Sequence, residues 1–398
     1  MNNVFVVGLG AISGIGNNVP ENLDALEKGK TGIDNIKYLR TNHRNLLPAA
    51  EVKLSNDELS LLSGFSRSKS RTAMLSMIAA REAWDNSGLK DVPALRTGFV
   101  SASTTGGIDK TEEFIAPFLA GWNKGKLRDV INHECSSITT MVAEKLRIRN
   151  HISTVSTACS SSANAIMYGA RLIKHDILDA VVAGGTDALT RFTLNGFNSL
   201  LLLDEQYCKP FDENRSGLNL GEGAGYVVLV SERVASLLKQ NPYCTISGYF
   251  NANDAYHQTS TSVDGDGPYM AMSGALSMSS LQPTDIDYIN LHGTGTHNND
   301  SSEGAAIQRL FHPRYPKMSS TKSFTGHTLG ASAGIEAVFS ALAIHYGIVY
   351  PNLRLQNPMA GTPFAPEPAF SKQQDLKHVL SNSVGFGGNC SSLIFSKL

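Results

Sequence analysis

The stretch HISTVSTACSSSANAIMYGARLIKHDILDAVVAGG, residues 151–185, decides the fold. β-Branched residues at its start predict a strand, the small and apolar residues that follow predict a helix over about 159–174, and DAVVAGG predicts a second, buried strand. Cys159 therefore lies where the helix begins. Short β-branched runs alternate with helical patterns along the rest of the chain, which favours a layered α/β fold.

A second series of the same kind begins near CTISGYF at 244–250. DYINLHGTGT at 287–296 predicts a strand followed by a glycine-rich loop, and a further strand, polar turn and long helix follow in the stretch that begins at Lys317. No linker or low-complexity segment separates the two series. We therefore predict two similar halves, residues 1–243 and 244–398, that share one core.

The composition is that of an ordinary globular protein, with 398 residues, 41% of them hydrophobic, and a formal net charge of −1. This balance of charges indicates neither nucleic acid nor a membrane surface as a partner.

No apolar run approaches the roughly 18 residues of a transmembrane helix, and the N-terminal stretch lacks the basic region of a signal peptide. The five cysteines form no CxxC pair, so neither a disulfide framework nor a zinc site is predicted. We predict a cytoplasmic protein.

The stretch TACSSS, residues 157–162, surrounds a cysteine with small and hydroxylated residues. A thiol at a helix N-terminus lies in a positive field that lowers its pKa and favours the nucleophilic thiolate. The unpaired N–H groups of the first helical turn would donate to a developing oxyanion. A packed structural cysteine fits this stretch equally well when it is taken alone.

Two histidines favour the catalytic interpretation. His292 follows an apolar strand in LHGTGT, and His327 lies in TKSFTGHTLGASAG just before a long helix. Lys322 and Glu336 flank His327 in the sequence and would form a charge pair near it, although such a pair is more often a framework salt bridge. GFGG at 385–388 offers backbone donors beside Phe386, or else is a plain hairpin turn.

These motifs, taken together with NSVGFGG, resemble the β-ketoacyl-acyl carrier protein synthases of the thiolase superfamily, most closely the elongating Cys-His-His type. The resemblance extends over nearly the whole chain, from GLGAISGIG at 8–16 to SLIF near the end. It implies a thiolase-like fold: two similar βαβαβαββ halves in a five-layered α/β/α/β/α core. It also implies an acyltransferase that joins a cysteine-bound acyl group to malonyl-carrier by decarboxylative Claisen condensation, extending a fatty acid, polyene or polyketide chain by two carbons.

The resemblance implies a role for each matching residue. Cys159 accepts the acyl group, and His292 and His327 donate to the malonyl thioester carbonyl. Lys322, paired with Glu336, orients and polarises the region of His327. The N–H groups of Cys159 and Phe386 form the oxyanion hole, and Phe386 covers the acyl pocket. The substrate-binding positions are Thr294, Thr296, Thr105 and Gly387.

Two departures from the family pattern concern the acyl pocket. Asn389 and Cys390 follow GFGG where the family often has Thr-Asn, which predicts different support for this turn. Thr105 lies where elongating synthases commonly have a larger apolar residue, which predicts a longer, more rigid or more polar acyl chain.

The resemblance implies an acyl carrier protein as partner, substrates held on its phosphopantetheine, and no metal or other cofactor. It implies a homodimer, or else the active subunit of a heterodimer with a chain-length factor. Three basic stretches are candidates for carrier docking: SRSKSR at 66–71, KGKLR at 124–128 and RIR at 147–149.

Other functions remain open from the residues alone. A cysteine-dependent thioester hydrolase would use the same thiol and one histidine. A degradative thiolase would need a second cysteine, for which Cys390 is poorly spaced, and an initiating synthase would have Asn where His327 lies. A non-catalytic chain-length factor would have lost the nucleophile that this chain keeps.

Overall fold

The structure is a computed structural model that describes residues 3–66, 68–92 and 94–398. Its strands are β1 (Val4–Ser13), β2 (Thr97–Ala102), β3 (His151–Val155), β4 (Ala180–Asp187), β5 (Gly223–Ser231), β6 (Cys244–Asn253), β7 (Tyr288–Asn290), β8 (Lys317–Ser319), β9 (His378–Val384) and β10 (Asn389–Ser396). Its α-helices are α1 (Val19–Glu27), α2 (Asn56–Ser63), α3 (Arg71–Asn86), α4 (Ile108–Leu119), α5 (Cys135–Leu146), α6 (Ser161–Lys174), α7 (Arg191–Ser199), α8 (Glu232–Ala235), α9 (Asp266–Ser279), α10 (His297–Phe311), α11 (Lys322–Thr325) and α12 (Ser332–Tyr346).

The strands have the same arrangement twice. Their order in the mixed sheet is β3-β2-β4-β5-β1-β6-β10-β9-β7-β8. In the first half β2 is parallel to β3 and β4, and β5 is antiparallel to β4 and β1. In the second half β7 is parallel to β8 and β9, and β10 is antiparallel to β9 and β6. The five strands of each half therefore follow one another in the same spatial order.

The halves meet along a short seam and share two central helices. β1 and β6 pair only at Phe5–Thr245 and Val6–Cys244. α6 packs on β4 and β2, α12 packs on β5 and β9, and the two helices contact each other. α3 covers the outer face of the first half and α9 that of the second. The layers are therefore helix, sheet, helix, sheet, helix, which confirms the predicted α/β class and five-layered core.

Burial on both faces explains the sequence of the central strands. Every residue of β4 (AVVAGGTD) and of β5 (GAGYVVLVS) is buried, and such strands contain continuous apolar and small residues rather than an alternating pattern. The stretch Leu329–Tyr346 is apolar and long enough to cross a membrane by composition alone, but 89% of it is buried inside the protein. We therefore assign it to the core as the central helix α12 with its preceding turn.

Glycine allows a close approach between β5 and α12. A Cβ atom on Gly225 of β5 would lie under 3.0 Å from the backbone of Gly334 and Ile335 in α12. Backbone cannot yield as a flexible side-chain end can, so this contact requires glycine. It holds the start of α12 against the first half of the sheet, close to His327 and the candidate site.

Candidate active site

Cys159 lies in a sharp turn between β3 and α6, which we name the nucleophile turn (residues 157–162). Ala158 has a φ of 53°, in the left-handed region that a residue with a side chain rarely adopts. The Ser161 hydroxyl donates to Ala158 O at 2.5 Å and accepts from Thr157 N–H at 2.8 Å. These bonds hold the strained backbone, which explains the small and hydroxylated residues around the cysteine.

Burial raises the pKa of the Cys159 thiol to about 11, while Lys322 and the Phe386 N–H oppose this shift. The sequence-based expectation of a lowered pKa is therefore wrong. α6 begins at Ser161, two residues beyond the cysteine, and Cys159 is only 5% exposed. Desolvation outweighs the opposing effects of Lys322 and the Phe386 N–H, so the resting residue is a neutral thiol.

His292 follows β7, and both its backbone and its ring are hydrogen-bonded. Its N–H and that of Gly293 donate to the buried carboxylate of Glu303 at 2.9 and 2.8 Å. Lys322 Nζ lies 3.2 Å from His292 Nδ1 and 2.6 Å from His292 O. Because an ammonium only donates, Nδ1 is the acceptor and the ring proton lies on Nε2.

His327 has the same tautomer by a different contact. The Leu329 N–H donates to His327 Nδ1 at 3.2 Å, which leaves the proton on Nε2. The rings of His292 and His327 lie 5.3 Å apart at 85°. Burial lowers the pKa of both histidines well below its usual value, and the charge of Lys322 lowers both further. Both are therefore neutral donors at pH 7.

Lys322 is the central charge of the site. Its ammonium contacts Glu336 Oε1 at 2.5 Å, and the side chains are 1% and 4% exposed. The predicted pair therefore exists and lies in the core. The histidine that it orients by hydrogen bonds is His292 and not the predicted His327, whose Nδ1 accepts from Leu329 N–H instead. Burial raises the pKa of Glu336, and Lys322 opposes the shift. The pair occupies the Nδ1 side of His292 and leaves the Nε2 donor free for a ligand.

Phe386 lies in the turn of residues 385–388, which we name the covering turn. Its backbone N–H hydrogen-bonds to the Cys159 thiol, and its ring stacks on Phe197 with centroids 5.5 Å apart. Gly387 has a φ of 79°, and its N–H donates to Gln258 O at 2.7 Å. Phe197 carried no signal in the sequence, because an aromatic residue on a surface helix is unremarkable.

One cavity of about 90 Å³ joins most of the predicted residues. Its lining includes Cys159, His292, His327, Thr294, Thr296 and Phe386. The two threonine hydroxyls lie 2.9 Å apart. Gly385 of the predicted GFGG turn also lines the cavity. Residues that sequence reasoning did not assign to the site complete the wall, namely Phe197, Leu202, Leu218, Thr259, Ser260, Thr261, Asn298, Asn299 and Val384.

Thr105 lies outside the lining of this cavity. Its hydroxyl donates to the buried carboxylate of Asp187 at 2.9 Å, and its N–H donates to the same oxygen at 3.1 Å. Ser103 and Thr104 also bond to Asp187, and so does the N–H of Gly330. The hydroxyl of Thr105 is thus already bonded to Asp187. The contact of Thr105 with an acyl chain stays a prediction.

The basic stretches differ in accessibility. Arg71 of SRSKSR is buried, and its Nη2 lies 2.6 Å from Glu222 Oε1, so including it in a docking patch was wrong. Arg67 lies outside the described residues. Both arginines of RIR are exposed, as are the basic side chains of KGKLR.

Within the described parts of the chain, no group of three His, Cys, Asp or Glu residues could hold a metal ion. All five cysteines are free.

Comparison with known proteins identifies the family. Residues 1–235 match the family model "Beta-ketoacyl synthase, N-terminal domain", and residues 243–356 match "Beta-ketoacyl synthase, C-terminal domain". The chain is 33% identical to a 3-oxoacyl-[acyl-carrier-protein] synthase 2 of Staphylococcus aureus (strain N315) over 99% of this chain and 98% of that one.

Two solved structures are similar over the full length of the chain. The ishigamide ketosynthase/chain length factor has a TM-score of 0.94 at 28% identity, covering 100% of this chain and 99% of its own. A type II PKS acyl-carrier protein in complex with its ketosynthase gives 0.89 at 25% identity, covering 100% of each. The chain belongs to the β-ketoacyl synthase family and is an acyltransferase of the elongating, condensing kind.

Proposed function

We propose that Cys159 carries the acyl group and that His292 and His327 stabilise the malonyl-derived enolate. The observation that supports this most strongly is the convergence of one thiol and two neutral imidazoles on one cavity. A hydrolase would need only one histidine and a route for water, so the second donor favours condensation.

In the first step, the sulfur of Cys159 attacks the thioester carbonyl of an acyl group on phosphopantetheine. The carbonyl oxygen becomes negative and accepts from the N–H groups of Cys159 and Phe386. The C–S bond to pantetheine then breaks, and the leaving sulfur takes up the proton that the Cys159 thiol gives up. Because burial raises the thiol pKa to about 11, the resting site holds this proton at pH 7.

In the second step, a malonyl thioester occupies the cavity. Its C–CO₂ bond breaks, carbon dioxide leaves, and the electron pair forms an enolate whose oxygen accepts from the Nε2–H groups of His292 and His327. The enolate carbon attacks the acyl carbon on Cys159, and the C–S bond breaks to release a chain longer by two carbons. Cys159 then recovers a proton. Fixed neutral donors favour the charge only when it forms.

Thr294 and Thr296 are proposed to hold the pantetheine arm. Both line the cavity that His292 and His327 also line, and their hydroxyls lie within hydrogen-bond distance of each other. Phe386 is proposed to cover the acyl chain, and Gly387 to give its turn the required backbone. Thr105 is proposed to contact the acyl chain outside the lining of this cavity, while its hydroxyl stays bonded to Asp187.

Partners and organisation follow from the same family. We propose an acyl carrier protein as donor, with the exposed KGKLR and RIR stretches as docking candidates. β3 is an edge strand with exposed Ile152, which supports a dimer through this edge of the sheet. α4 exposes Ile115, Phe118 and Leu119, which offer further apolar surface for a partner. The partner is a second copy or a chain-length factor. We also propose 1–243 and 244–398 as the two halves, no cofactor beyond the carrier's phosphopantetheine, and a cytoplasmic location.

The test is intact-mass analysis after incubation with a panel of acyl-carrier proteins and then with malonyl-carrier. We expect an acyl adduct on the wild-type chain, none on Cys159→Ala, and a product two carbons longer with carbon dioxide release. Release of free acid alone would support a hydrolase. An adduct that persists in Cys159→Ala would refute the assignment of the nucleophile.

The histidine roles are tested separately. His292→Ala and His327→Ala should still form the acyl adduct, because the oxyanion hole is intact, but should lose carbon dioxide release from malonyl-carrier by about 100-fold or more. Normal decarboxylation in both variants would refute the second step.

A further inference from the structure

A cluster of polar side chains lies directly behind the nucleophile turn and joins it to the covering turn. Oδ1 of Asn389 accepts from the Ser160 hydroxyl at 2.7 Å, from Asn164 Nδ2 at 2.9 Å and from Asn251 Nδ2 at 2.7 Å. One amide oxygen therefore receives three donors. The donors come from three separate parts of the chain: the nucleophile turn, α6 and β6.

Asn389 bonds to the covering turn as well as to the nucleophile turn. Its backbone carbonyl accepts from the Gly385 N–H at 2.9 Å, which closes the covering turn around Phe386. Its side chain holds Ser160, the residue next to Cys159. Asn389 thus contacts both segments that carry the two oxyanion-hole donors.

We propose that Asn389 is a positioning residue that holds the N–H groups of Cys159 and Phe386 at the separation an oxyanion requires. This inference rests on the proposed acyl transfer and adds a residue to it. The two donors belong to opposite halves of the molecule, more than 220 positions apart in the chain, so their spacing is not fixed by local backbone. A displacement of about 1 Å in such a site lowers rates by about 100-fold.

The test compares two reactions of the same thiol. Iodoacetamide alkylates Cys159 by direct displacement and forms no oxyanion, whereas transfer from the octanoyl thioester of N-acetylcysteamine, a pantetheine mimic, forms one. Both rates are read by intact mass and by peptide mapping of Cys159. The measured quantity is the ratio of the acylation rate to the alkylation rate, with the wild-type ratio set to one.

We expect Asn389→Ala to lower this ratio about tenfold or more while alkylation changes by less than about threefold. Asn389→Asp keeps an oxygen for all three donors, so its ratio should stay near one. Its added charge would slow both reactions in proportion, since it disfavours the thiolate.

Ser391→Ala is the matched control. It removes the bonds of Ser391 Oγ to Asn164 and Asn251 in the same cluster without touching Ser160 or the covering turn. The ratio of acylation to alkylation in Ser391→Ala should stay at one, even if this variant is less thermally stable than wild type. A ratio near one for Asn389→Ala, or an equal loss in Ser391→Ala, would overturn the proposal. Failure of the wild-type chain to load would instead refute the proposed function. If Asn389→Ala does not fold, Ser160→Ala gives the decision, because it removes the bond from the nucleophile turn to Asn389 Oδ1. The ratio in Ser160→Ala should fall, and a ratio near one would overturn the proposal.

Discussion

Replacing Lys322 with methionine tests the charge balance of the site. Methionine keeps most of the side-chain length but removes the partner that Glu336 Oε1 has at 2.5 Å. The remaining contact of that oxygen is the Ser332 hydroxyl at 3.3 Å, and Oε2 has no hydrogen-bond partner among the described residues. Removing one member of a buried ion pair destabilises proteins by about 3–5 kcal/mol.

Protonation of Glu336 sets a ceiling on this loss. A glutamate with an ordinary pKa of 4.5 takes up a proton at pH 7 at a free-energy cost of about 3.4 kcal/mol, and at pH 5 of about 0.7 kcal/mol. Burial already raises the pKa of Glu336, and loss of Lys322 raises it further. A group with a raised folded-state pKa stabilises below its unfolded pKa and loses that stability as pH rises. The variant is therefore destabilised more at pH 7 than at pH 5.

The assay is urea unfolding of wild type, Lys322→Met and Lys322→Met/Glu336→Gln at both pH values. We expect the single variant to lose about 3 kcal/mol relative to wild type at pH 7 and about 1 kcal/mol or less at pH 5. The double variant has no buried carboxylate, so its unfolding free energy should depend on pH less than that of the single variant. An equal loss at both pH values in the single variant would refute the reasoning.

Three further predictions concern the thiol, its cover and the core. Alkylation of Cys159 by iodoacetamide should rise about tenfold per pH unit up to near pH 11, because burial raises the pKa of the thiol to about 11; a plateau near pH 8 would contradict this. Phe386→Ala removes the ring that stacks on Phe197 but keeps the N–H, so peptide mapping should show Cys159 alkylated severalfold faster while thioester loading persists; an unchanged alkylation rate would argue against a cover. Gly225→Ala should destabilise by about 1–3 kcal/mol in thermal unfolding through its clash with α12, whereas Gly196→Ala, with nothing within 4 Å of its Cβ, should not destabilise; equal melting temperatures would refute the close approach.

Residues in regular local patterns were predictable from the sequence. The strand, turn and helix around Cys159 follow from hydrophobic patterning, and His292 was conspicuous because a polar glycine-rich loop directly follows a buried strand. The two halves were visible as a repeated series of elements. These features depend on neighbours in the chain, which a sequence displays directly.

Features that depend on distant neighbours were not predictable in the same way. The thiol pKa was predicted in the wrong direction, because Cys159 is buried in the folded chain, where it contacts the Phe386 N–H more than 220 residues away. Arg71 was taken for a surface charge, since nothing near it in sequence reveals that Glu222 lies against it. Thr105 shows the same limitation, because its hydroxyl is engaged by Asp187, 82 residues along the chain.

The directions of the histidine and cysteine pKa shifts together explain why the resting site has no unpaired charge among its catalytic groups. Lys322 and Glu336 neutralise each other, both histidines are neutral, and the thiol keeps its proton, so the resting cavity contains no unpaired charge among these groups. In the proposed mechanism, negative charge then appears only on reacting atoms, first on the thioester oxygen and later on the enolate. At each stage the donors are already oriented by Lys322, Leu329 and Asn389, so little reorganisation is needed when the charge forms. A protonated histidine would instead attract the malonyl carboxylate in the ground state, and would slow the loss of carbon dioxide that condensation requires.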